Sequence, residues 1–223
     1  YTIMPKLTWD AAGERLYETG TSKGVLFAQT ALGAYGAGVA WNGLTKVTQS
    51  PDGAEESPIY ADNIKYLSLT SVENFKGTIE AYTYPDEFAA CDGSAEVVAG
   101  VHLGQQPRMG FGLAYSTIVG NDVAGNEYGE KIHIIYAAKV TPAERAYETV
   151  NGDPNAITFS WSFTTTPQQI AAAGFKPSAY ICIDSTKVAA PKFAAIKDLL
   201  YGTDTKTSKL PSIDEIITLV TAG

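Results

Sequence analysis

Only a few side chains in this sequence could do acid–base, nucleophilic or metal chemistry. The 223 residues include two histidines and two cysteines. His102 and His133 have no cysteine, histidine or aspartate at the spacing of metal ligands, so each is expected to be a surface histidine or one that is hydrogen-bonded within the fold. Cys91 and Cys182 are far apart and also lack metal-site spacing. We therefore interpret them as two small, buried thiols of a reduced, cytoplasmic protein, and we predict no metal site.

The carboxylates and the glycine-rich segment do not form a recognisable catalytic motif. A glycosidase needs two carboxylates at a fixed separation, and the sequence does not give the separations among Glu73, Glu80, Asp86 and Glu87. No G-x-S-x-G nucleophile turn and no H-E-x-x-H zinc pair occurs. Residues 30–38 are rich in Gly and Ala but lack the Lys-Ser/Thr ending of a phosphate-binding loop. The sequence therefore predicts a protein that is not an enzyme and binds no cofactor, with a glycosidase as the weakest alternative.

Composition and charge restrict the class of protein further. A hydrophobic content of 45%, with 21 Gly and 13 Tyr, is typical of a globular chain with many short strands and turns. The net charge of −8 argues against a protein that grips nucleic acid, because such binding depends on Lys and Arg displacing counterions from phosphates. A negative wall would suit a protein that lets DNA pass without holding it. No run of residues reaches the length of a membrane span, so no membrane partner is expected.

Alternation of apolar and polar residues predicts most of the fold. The pattern is clearest at residues 157–165, where Ile, Phe, Trp and Phe alternate with Thr and Ser. The same pattern predicts strands at residues 25–29, 39–48, 75–83, 108–119, 131–140 and 178–184. The fold class is therefore mainly β, a β-sandwich or open barrel of about eight strands.

The region before residue 93 is predicted as strand, turn, strand and short helix. A break in the parity of the apolar residues predicts a β-bulge near Tyr66 and Leu67. Residues 71–74 are predicted as the hairpin turn that leads into the strand at residues 75–83. Pro85 lacks an N–H group for the sheet, so it ends that strand and begins the short helix.

The rest of the chain is predicted from helix and loop signals. Apolar periodicity predicts terminal helices at residues 192–201 and from Ser212, the latter with a capping box. Residues 141–150 are compatible with a helix or with one arm of a hairpin, and we favour the hairpin. Irregular loops are predicted at residues 94–107 and 121–129. The predicted divisions are an N-terminal arm, a β-sandwich domain and a C-terminal helical extension, at residues 1–20, 21–187 and 188–223.

Two surfaces are candidates for contacts with other molecules. Two strands have a second face of small, neutral residues where a solvent-exposed face would normally have charged ones; the members are Gly110, Gly112, Ala114, Ser160, Ser162 and Thr164. Such a face packs against another protein or lines a passage, the alternative being a Ser/Thr-rich sandwich exterior. The second candidate is the acidic segment 49–58, which is longer than a tight hairpin requires and could reach a partner; its candidate residues are Gln49, Asp52, Glu55, Glu56 and Pro58.

Several sequence segments resemble one protein family. The segments are Y-A-D-N, T-I-E-A-Y-T-Y-P-D-E-F and C-D-G-S, with V-A-W-N-G-L before them and I-T-F-S-W and I-D-S-T-K after them. Together they resemble the major tail tube protein of long, non-contractile-tailed bacteriophages, over residues 38–187. The terminal helices lie outside the resembling region.

The resemblance implies a structural virion protein, assembled in the host cytoplasm, that forms stacked hexameric rings. The continuous β-lined channel of such a tube would carry the genome into the host without binding it specifically. The implied partners are other copies of the chain and other tail proteins, such as the tape measure, tail tip and tail terminator proteins. In this interpretation the small, neutral faces line the channel, and segment 49–58 joins successive rings.

A carbohydrate-binding β-sandwich module is the main alternative. Exposed Trp41, Tyr82 and Tyr84 could then stack on sugar rings. The two interpretations differ in the expected mass in solution, because a tube protein forms hexamers or polymers, whereas a carbohydrate-binding module forms a small oligomer with affinity for sugar.

Overall fold

The computed structural model describes residues 7–30, 33–149 and 155–222. Within them the chain is mainly β, which confirms the predicted fold class. The strands are β1 (Leu16–Ala28), β2 (Val39–Trp41), β3 (Leu44–Gln49), β4 (Glu56–Ala61), β5 (Ile64–Thr70), β6 (Lys76–Ala81), β7 (Ala95–Val98), β8 (Val101–Leu103), β9 (Phe111–Asn121), β10 (Gly125–Val140), β11 (Phe159–Thr165) and β12 (Tyr180–Asp184). A 3₁₀ turn (Asp86–Phe88) follows Pro85 as predicted, and the helices are α1 (Ala190–Tyr201) and α2 (Ile213–Thr221).

One antiparallel sheet folds over on itself to give a sandwich-like structure. Its strand order is β2-β1-β9-β10-β11-β6-β3. The middle of β10, residues 131–135, pairs with β12 and its last three residues pair with β11, so β10 belongs to both layers. The register shifts between Ile135 and Ala138, and Ala137 has a φ of 46°. This irregularity bends β10 at the point where it passes from one layer to the other.

The first core cluster fills the space between the two layers. Trp161 on β11 is 1% exposed, and its ring lies 5.1 Å from Phe88 and 5.8 Å from Trp41. Phe163 is also buried, whereas Ser160 and Ser162 face outward, so the alternation predicted for this strand is confirmed. Phe88 enters this core from the 3₁₀ turn, because Pro85 directs the chain inward after β6.

The second core cluster lies between the sheet and the two C-terminal helices. Phe193, Ile196 and Leu200 of α1 pack with Ile213 and Ile216 of α2. On the sheet side they meet side chains of β1, β9 and β10: Val25, Phe27, Ala114, Ile132 and Ile134. The apolar side chains of α1 and α2 are therefore part of the core, and the predicted C-terminal helical extension packs directly on the sheet.

Both helices were predicted from their local signals. The side chain of Ser212 accepts a hydrogen bond from the backbone N–H of Glu215, and the Glu215 carboxylate accepts one from the backbone N–H of Ser212. This confirms the capping box. Gly202, with a φ of 78°, follows α1. No helix in the described part of the chain is long and apolar enough to cross a membrane.

The pairing predicted around residues 71–74 is wrong. β5 pairs with β4 through a turn at Asp62 and Asn63, which have φ values of 50° and 62°, while β6 pairs with β3 and β11. Two successive residues with positive φ form the hairpin turn that best matches strand twist, and Asn and Asp tolerate it. The bulge is confirmed, because the register passes from the pair Ile59–Leu67 to the pair Tyr60–Lys65 and leaves Tyr66 as the extra residue.

Four other segments differ in secondary structure from their predictions. Strand β1 begins at Leu16, opposite Asn121 of β9, so the last residues of the predicted N-terminal arm are in a strand. The predicted loop at 94–107 contains the β7–β8 hairpin, and β10 begins at Gly125, which shortens the predicted loop at 121–129. Residues 141–149 are neither helix nor strand. The hairpin favoured for this region would turn after residue 150, which lies outside the described residues.

Candidate functional site

β3, β4, β5 and β6 form one long hairpin whose outer half projects from the sandwich. At its base Gln49 of β3 is opposite Gly77 of β6. Further out, Asp52 and Asn74 exchange two backbone hydrogen bonds of 2.9 and 2.6 Å, and beyond them β4 pairs with β5. From Asp52 to the turn this arm is roughly 30 Å long at the usual rise of a strand. We call the part from residue 52 to residue 74 the projecting hairpin.

The projecting hairpin has one apolar face that nothing in the described chain covers. Every residue of β4 and β5 is exposed except half-buried Ser68. Ile59 lies opposite Leu67, Ala61 opposite Ile64, and Ser57 opposite Leu69, and residues 57, 59 and 61 share one face of their strand. The bulge at Tyr66 is what brings Ile64 onto the same face as Leu67 and Leu69. Ile64 is 66% exposed and Leu69 57% exposed.

The opposite face of the projecting hairpin carries the polar side chains Glu56, Lys65 and Ser68 together with Pro58 and Tyr60. Lys65 donates a 2.5 Å hydrogen bond to the carboxylate of Glu56. The same bond lowers the pKa of Glu56, and a similar bond from Lys76 lowers the pKa of Asp52. An isolated two-stranded hairpin is marginally stable at best, and a contiguous exposed apolar patch indicates an interaction site. The exposed apolar face of this hairpin is therefore a candidate interaction surface.

The candidate residues of segment 49–58 all lie on the outgoing arm of this long hairpin. Gln49 ends β3, Asp52 closes the base of the projecting hairpin, and Glu55 leads into β4, which contains Glu56 and Pro58. The segment was predicted as a loop, but its residues lead into a strand. The acidic side chains identified from the sequence are accompanied by an apolar face that the sequence interpretation missed, because the predicted pairing partner of β5 was wrong.

Other apolar side chains are exposed outside the projecting hairpin. The β7–β8 hairpin exposes Val97, Val98, Val101 and Leu103, and its His102 is also exposed. Near the N-terminus, Leu7 and Trp9 are 74% and 76% exposed. Single exposed apolar residues are common on monomeric proteins, whereas clusters of them, as on these two hairpins, indicate candidate interaction sites.

Ser160, Ser162 and Thr164 lie on an exposed sheet face, but that face is not free of basic residues. Thr164 lies between Lys139 of β10 and Lys76 of β6 in the strand register. Ser160 lies beside Glu80, which forms an ion pair of 3.5 Å with Lys46 of β3. A channel wall for DNA should lack basic side chains. Because Lys139, Lys76 and Lys46 lie on or beside it, this face does not have the composition expected of a channel wall.

Gly112 and Ala114 are buried in the subunit and Gly110 is half-buried. Ala114 is 1% exposed and belongs to the cluster beneath the helices. A methyl group on Gly112 would lie 2.4 Å from Leu210, and one on Gly110 would lie 2.2 Å from Gln29. These residues are small because the C-terminal segment and β1 pack closely on this face of β9. Their assignment to a channel wall is corrected.

A buried hydrogen-bonded network surrounds His133 at the open end of the sandwich. His133 is 6% exposed, and its ring stacks on Tyr115 with centroids 4.8 Å apart. Its Nε2 lies 2.8 Å from the Thr117 hydroxyl and its Nδ1 lies 2.7 Å from the Tyr180 hydroxyl. Glu18 accepts hydrogen bonds from Thr117 and Lys131, of 2.7 and 2.6 Å. The prediction of a hydrogen-bonded histidine is confirmed for His133.

The cavity beside this network has a volume of about 400 Å³ and is open to solvent. Cys182, opposite His133 in the strand register, lines it and is exposed, which corrects the prediction of two buried thiols. Cys91 is buried, and burial raises the pKa of its thiol to about 12. Among the described residues, no three His, Cys, Asp or Glu side chains are grouped so that they could hold a metal ion.

The structure does not assemble the predicted sugar platform or a carboxylate pair. Trp41 is 3% exposed and its indole N–H donates to the carbonyl of Thr83. Tyr84 is half-buried under Arg145, which lies 5.6 Å from its ring, so only Tyr82 is exposed. The four carboxylates considered for a glycosidase lie apart: at the base of the hairpin (Glu73), on the outer sheet face (Glu80) and in the 3₁₀ turn (Asp86, Glu87).

Comparison of the chain with protein-family models gave no match, and comparison with curated proteins also gave none.

Proposed function

We propose that this chain is a structural protein that assembles with copies of itself to form the tail tube of a long, non-contractile-tailed bacteriophage. The observation that carries the proposal is the uncovered apolar face of the projecting hairpin, formed by Ile59, Ile64, Leu67 and Leu69. The resemblance of residues 38–187 to major tail tube proteins supports the specific assembly.

Burial of this face would supply a substantial driving force for assembly. Each fully buried Ile or Leu contributes about 1.5–3 kcal/mol. Association costs on the order of 4–15 kcal/mol in lost freedom, so a single hairpin contact would be weak. In a closed ring, each subunit makes this contact twice, once through its own hairpin and once with the hairpin of its neighbour. Two such contacts per subunit favour a closed ring over a dimer.

The contact that we propose is heterologous. A hairpin of one subunit lies against a different surface of the next, and such head-to-tail contacts generate rings or open helices. The stoichiometry of six and the stacking of rings come from the family resemblance. In this assembly the partners are other copies of the chain and the tape measure, tail tip and tail terminator proteins, and DNA passes through the channel.

The proposal is tested by removing the apolar face without changing the sandwich. The double variant Ile59→Ser with Leu67→Ser alters a directly opposed pair that is exposed in the subunit. We expect it to fold like the parent and to remain monomeric in sedimentation velocity, while the parent forms rings and tubes visible by electron microscopy. Lys65→Ser, on the polar face of the same hairpin, is the matched control and should still assemble.

Two outcomes would contradict the proposal. Parent protein that stays monomeric up to high concentration, with no tubes in micrographs, would exclude self-assembly as its function. A double variant that polymerises like the parent would exclude the hairpin as the contact. No feature of the described residues favours sugar binding over assembly, since Trp41 of the predicted platform is buried.

A further inference from the structure

The chain is contacted immediately before and immediately after the projecting hairpin by two tyrosines that flank His133. On the outgoing arm, the side-chain amide of Gln49 donates a 2.7 Å hydrogen bond to the Tyr115 hydroxyl. On the returning arm, the ring of Phe75 stacks on Tyr180 with centroids 4.9 Å apart and an interplanar angle of 9°. The His133 ring lies between the two tyrosines, 4.8 Å from Tyr115 and 6.0 Å from Tyr180. The imidazole therefore lies against both tyrosines that contact the base of the hairpin.

The hydrogen-bond pattern assigns the tautomer of His133. The single hydroxyl proton of Thr117 is donated to Glu18, so the Thr117 oxygen can only accept from His133. Nε2 must therefore carry a proton. In the neutral ring Nδ1 then has a lone pair, and it accepts a hydrogen bond from the Tyr180 hydroxyl. The neutral ring thus fixes the direction in which the Tyr180 hydroxyl points.

Protonation of His133 reverses the direction of its hydrogen bond with Tyr180. A proton on Nδ1 would face the hydroxyl proton of Tyr180 across 2.7 Å. Tyr180 must then turn its O–H away and accept instead, or move. Because Phe75 is stacked on Tyr180, any displacement of this ring is transmitted to the returning arm of the hairpin.

The groups around the ring determine when it is protonated. Burial lowers the pKa of His133, and Lys131 acts in the same direction, while the Glu18 carboxylate 3.5 Å away acts against them. The resulting pKa is below the ordinary value of 6.5, so the folded protein favours the neutral ring and takes up the proton at a lower pH than a free histidine would. The groups that face it come from five strands: Glu18 (β1), Gln49 (β3), Tyr115 and Thr117 (β9), Lys131 (β10), and Tyr180 and Cys182 (β12).

We propose that His133 is a positioning residue that holds the base of the projecting hairpin in place while its ring is neutral and loosens it when the ring is protonated, so that acidification weakens self-assembly. This inference rests on the proposed self-assembly through the hairpin. Linkage requires that if assembly favours the neutral ring, assembly in turn lowers the affinity of His133 for the proton. A coupling of one pKa unit corresponds to an about tenfold change in the association constant.

The test compares the two histidines of the chain. Assembly of the parent, His133→Gln and His102→Gln is measured by sedimentation velocity between pH 8 and pH 5. Gln cannot be protonated in this range, so His133→Gln should lose the weakening below pH 6.5 that the parent shows. His102→Gln removes an exposed histidine on β8 and should keep the parent profile. Tyr180→Phe keeps the ring stack but removes the hydroxyl, and should also flatten the profile.

A second measurement keeps the inference separate from the proposed function. Nitrogen NMR of the His133 ring reports its tautomer and protonation, and amide shifts of Asn74 and Lys76 report the hairpin base. These shifts should follow the His133 titration in monomeric parent protein and stay constant in folded His133→Gln. If the parent never assembles, the proposed function fails while this coupling is still measured. The inference is wrong if the amide shifts of Asn74 and Lys76 do not change as His133 titrates. It is also wrong if the parent and His133→Gln show the same dependence of assembly on pH.

Discussion

Gly112 lies where the surrounding side chains leave no room for a methyl group. An added Cβ would lie 2.4 Å from Leu210, 3.3 Å from Tyr35 and 3.4 Å from the carbonyl oxygen of Ile135. Leu210 is buried in the cluster beneath α1 and α2, so it cannot simply move into solvent. The small residue is thus required by the close approach of the C-terminal segment to β9.

We expect Gly112→Ala to lower the free energy of unfolding by about 1–3 kcal/mol, the usual cost of overpacking a core. Thermal or denaturant unfolding measures the change. Gly104→Ala is the matched control, because an added Cβ there has nothing within 4 Å and its backbone does not adopt positive φ. An unchanged midpoint for Gly112→Ala would indicate that the C-terminal segment is not held against β9 as described.

At the scale of the elements, the outer face of β11, β6 and β3 combines small hydroxyl groups with paired charges. The hydroxyls of Ser162 and Thr78 lie 3.4 Å apart at its centre. Around them, Lys46 pairs with Glu80 and Lys76 pairs with Asp52. A flat face of this kind, with lysines at its margin, is better suited to contact with another subunit than to a DNA channel.

The substitution Ser162→Lys distinguishes these two roles. The residue is exposed in the subunit, so the substitution should leave the unfolding midpoint nearly unchanged. If the face is a subunit contact, an added charge at its centre should prevent ring formation, which sedimentation and electron microscopy would detect. If tubes form normally but genome ejection is slow, and is restored at high salt, the face lines the channel and our assignment is wrong.

Local sequence patterns predicted correctly the strands and helices that turn one face toward a core cluster. The alternation at residues 157–165 predicted which side chains of β11 point inward, and the Ser212 capping box predicted the start of α2. Both signals act within a few residues of chain. Pairing was harder to predict, because residues 71–74 and Asp62-Asn63 both contain turn-forming residues, and only the long-range pairing of β6 with β11 decides between them.

The candidate surfaces could be predicted only in part for the same reason. Gly112 and Ala114 have the neutral character of a channel wall, but the helices that cover them are about eighty or more residues away in sequence. The apolar face of the projecting hairpin was hidden by the bulge at Tyr66, which breaks the alternation of Ile64 with Leu67 and Leu69. The sequence indicated where this surface lies, but its apolar character is visible only once the pairing register of β4 and β5 is known.

At the scale of the whole molecule, the projecting hairpin can be removed without cutting the sandwich. Asp52 and Asn74 exchange two backbone hydrogen bonds, which is the pair that closes a two-residue hairpin loop. Deletion of residues 54–72 joins Gly53 to Glu73 between them. Gly followed by another residue suits a type II′ turn, and Gly53 already has a φ of 98°. The shortened chain therefore keeps the pairing of β3 with β6.

We expect this deletion to leave the sandwich folded and to abolish rings and tubes, because it removes the apolar face on which the proposed assembly depends while both core clusters remain complete. Circular dichroism and the unfolding midpoint test the fold, and sedimentation with electron microscopy tests assembly. The removed strands bury almost nothing within the subunit, so the midpoint should change little. A deletion variant that unfolds would give the hairpin a role in the stability of the subunit, and one that still forms tubes would place the contacts between subunits on the sandwich itself.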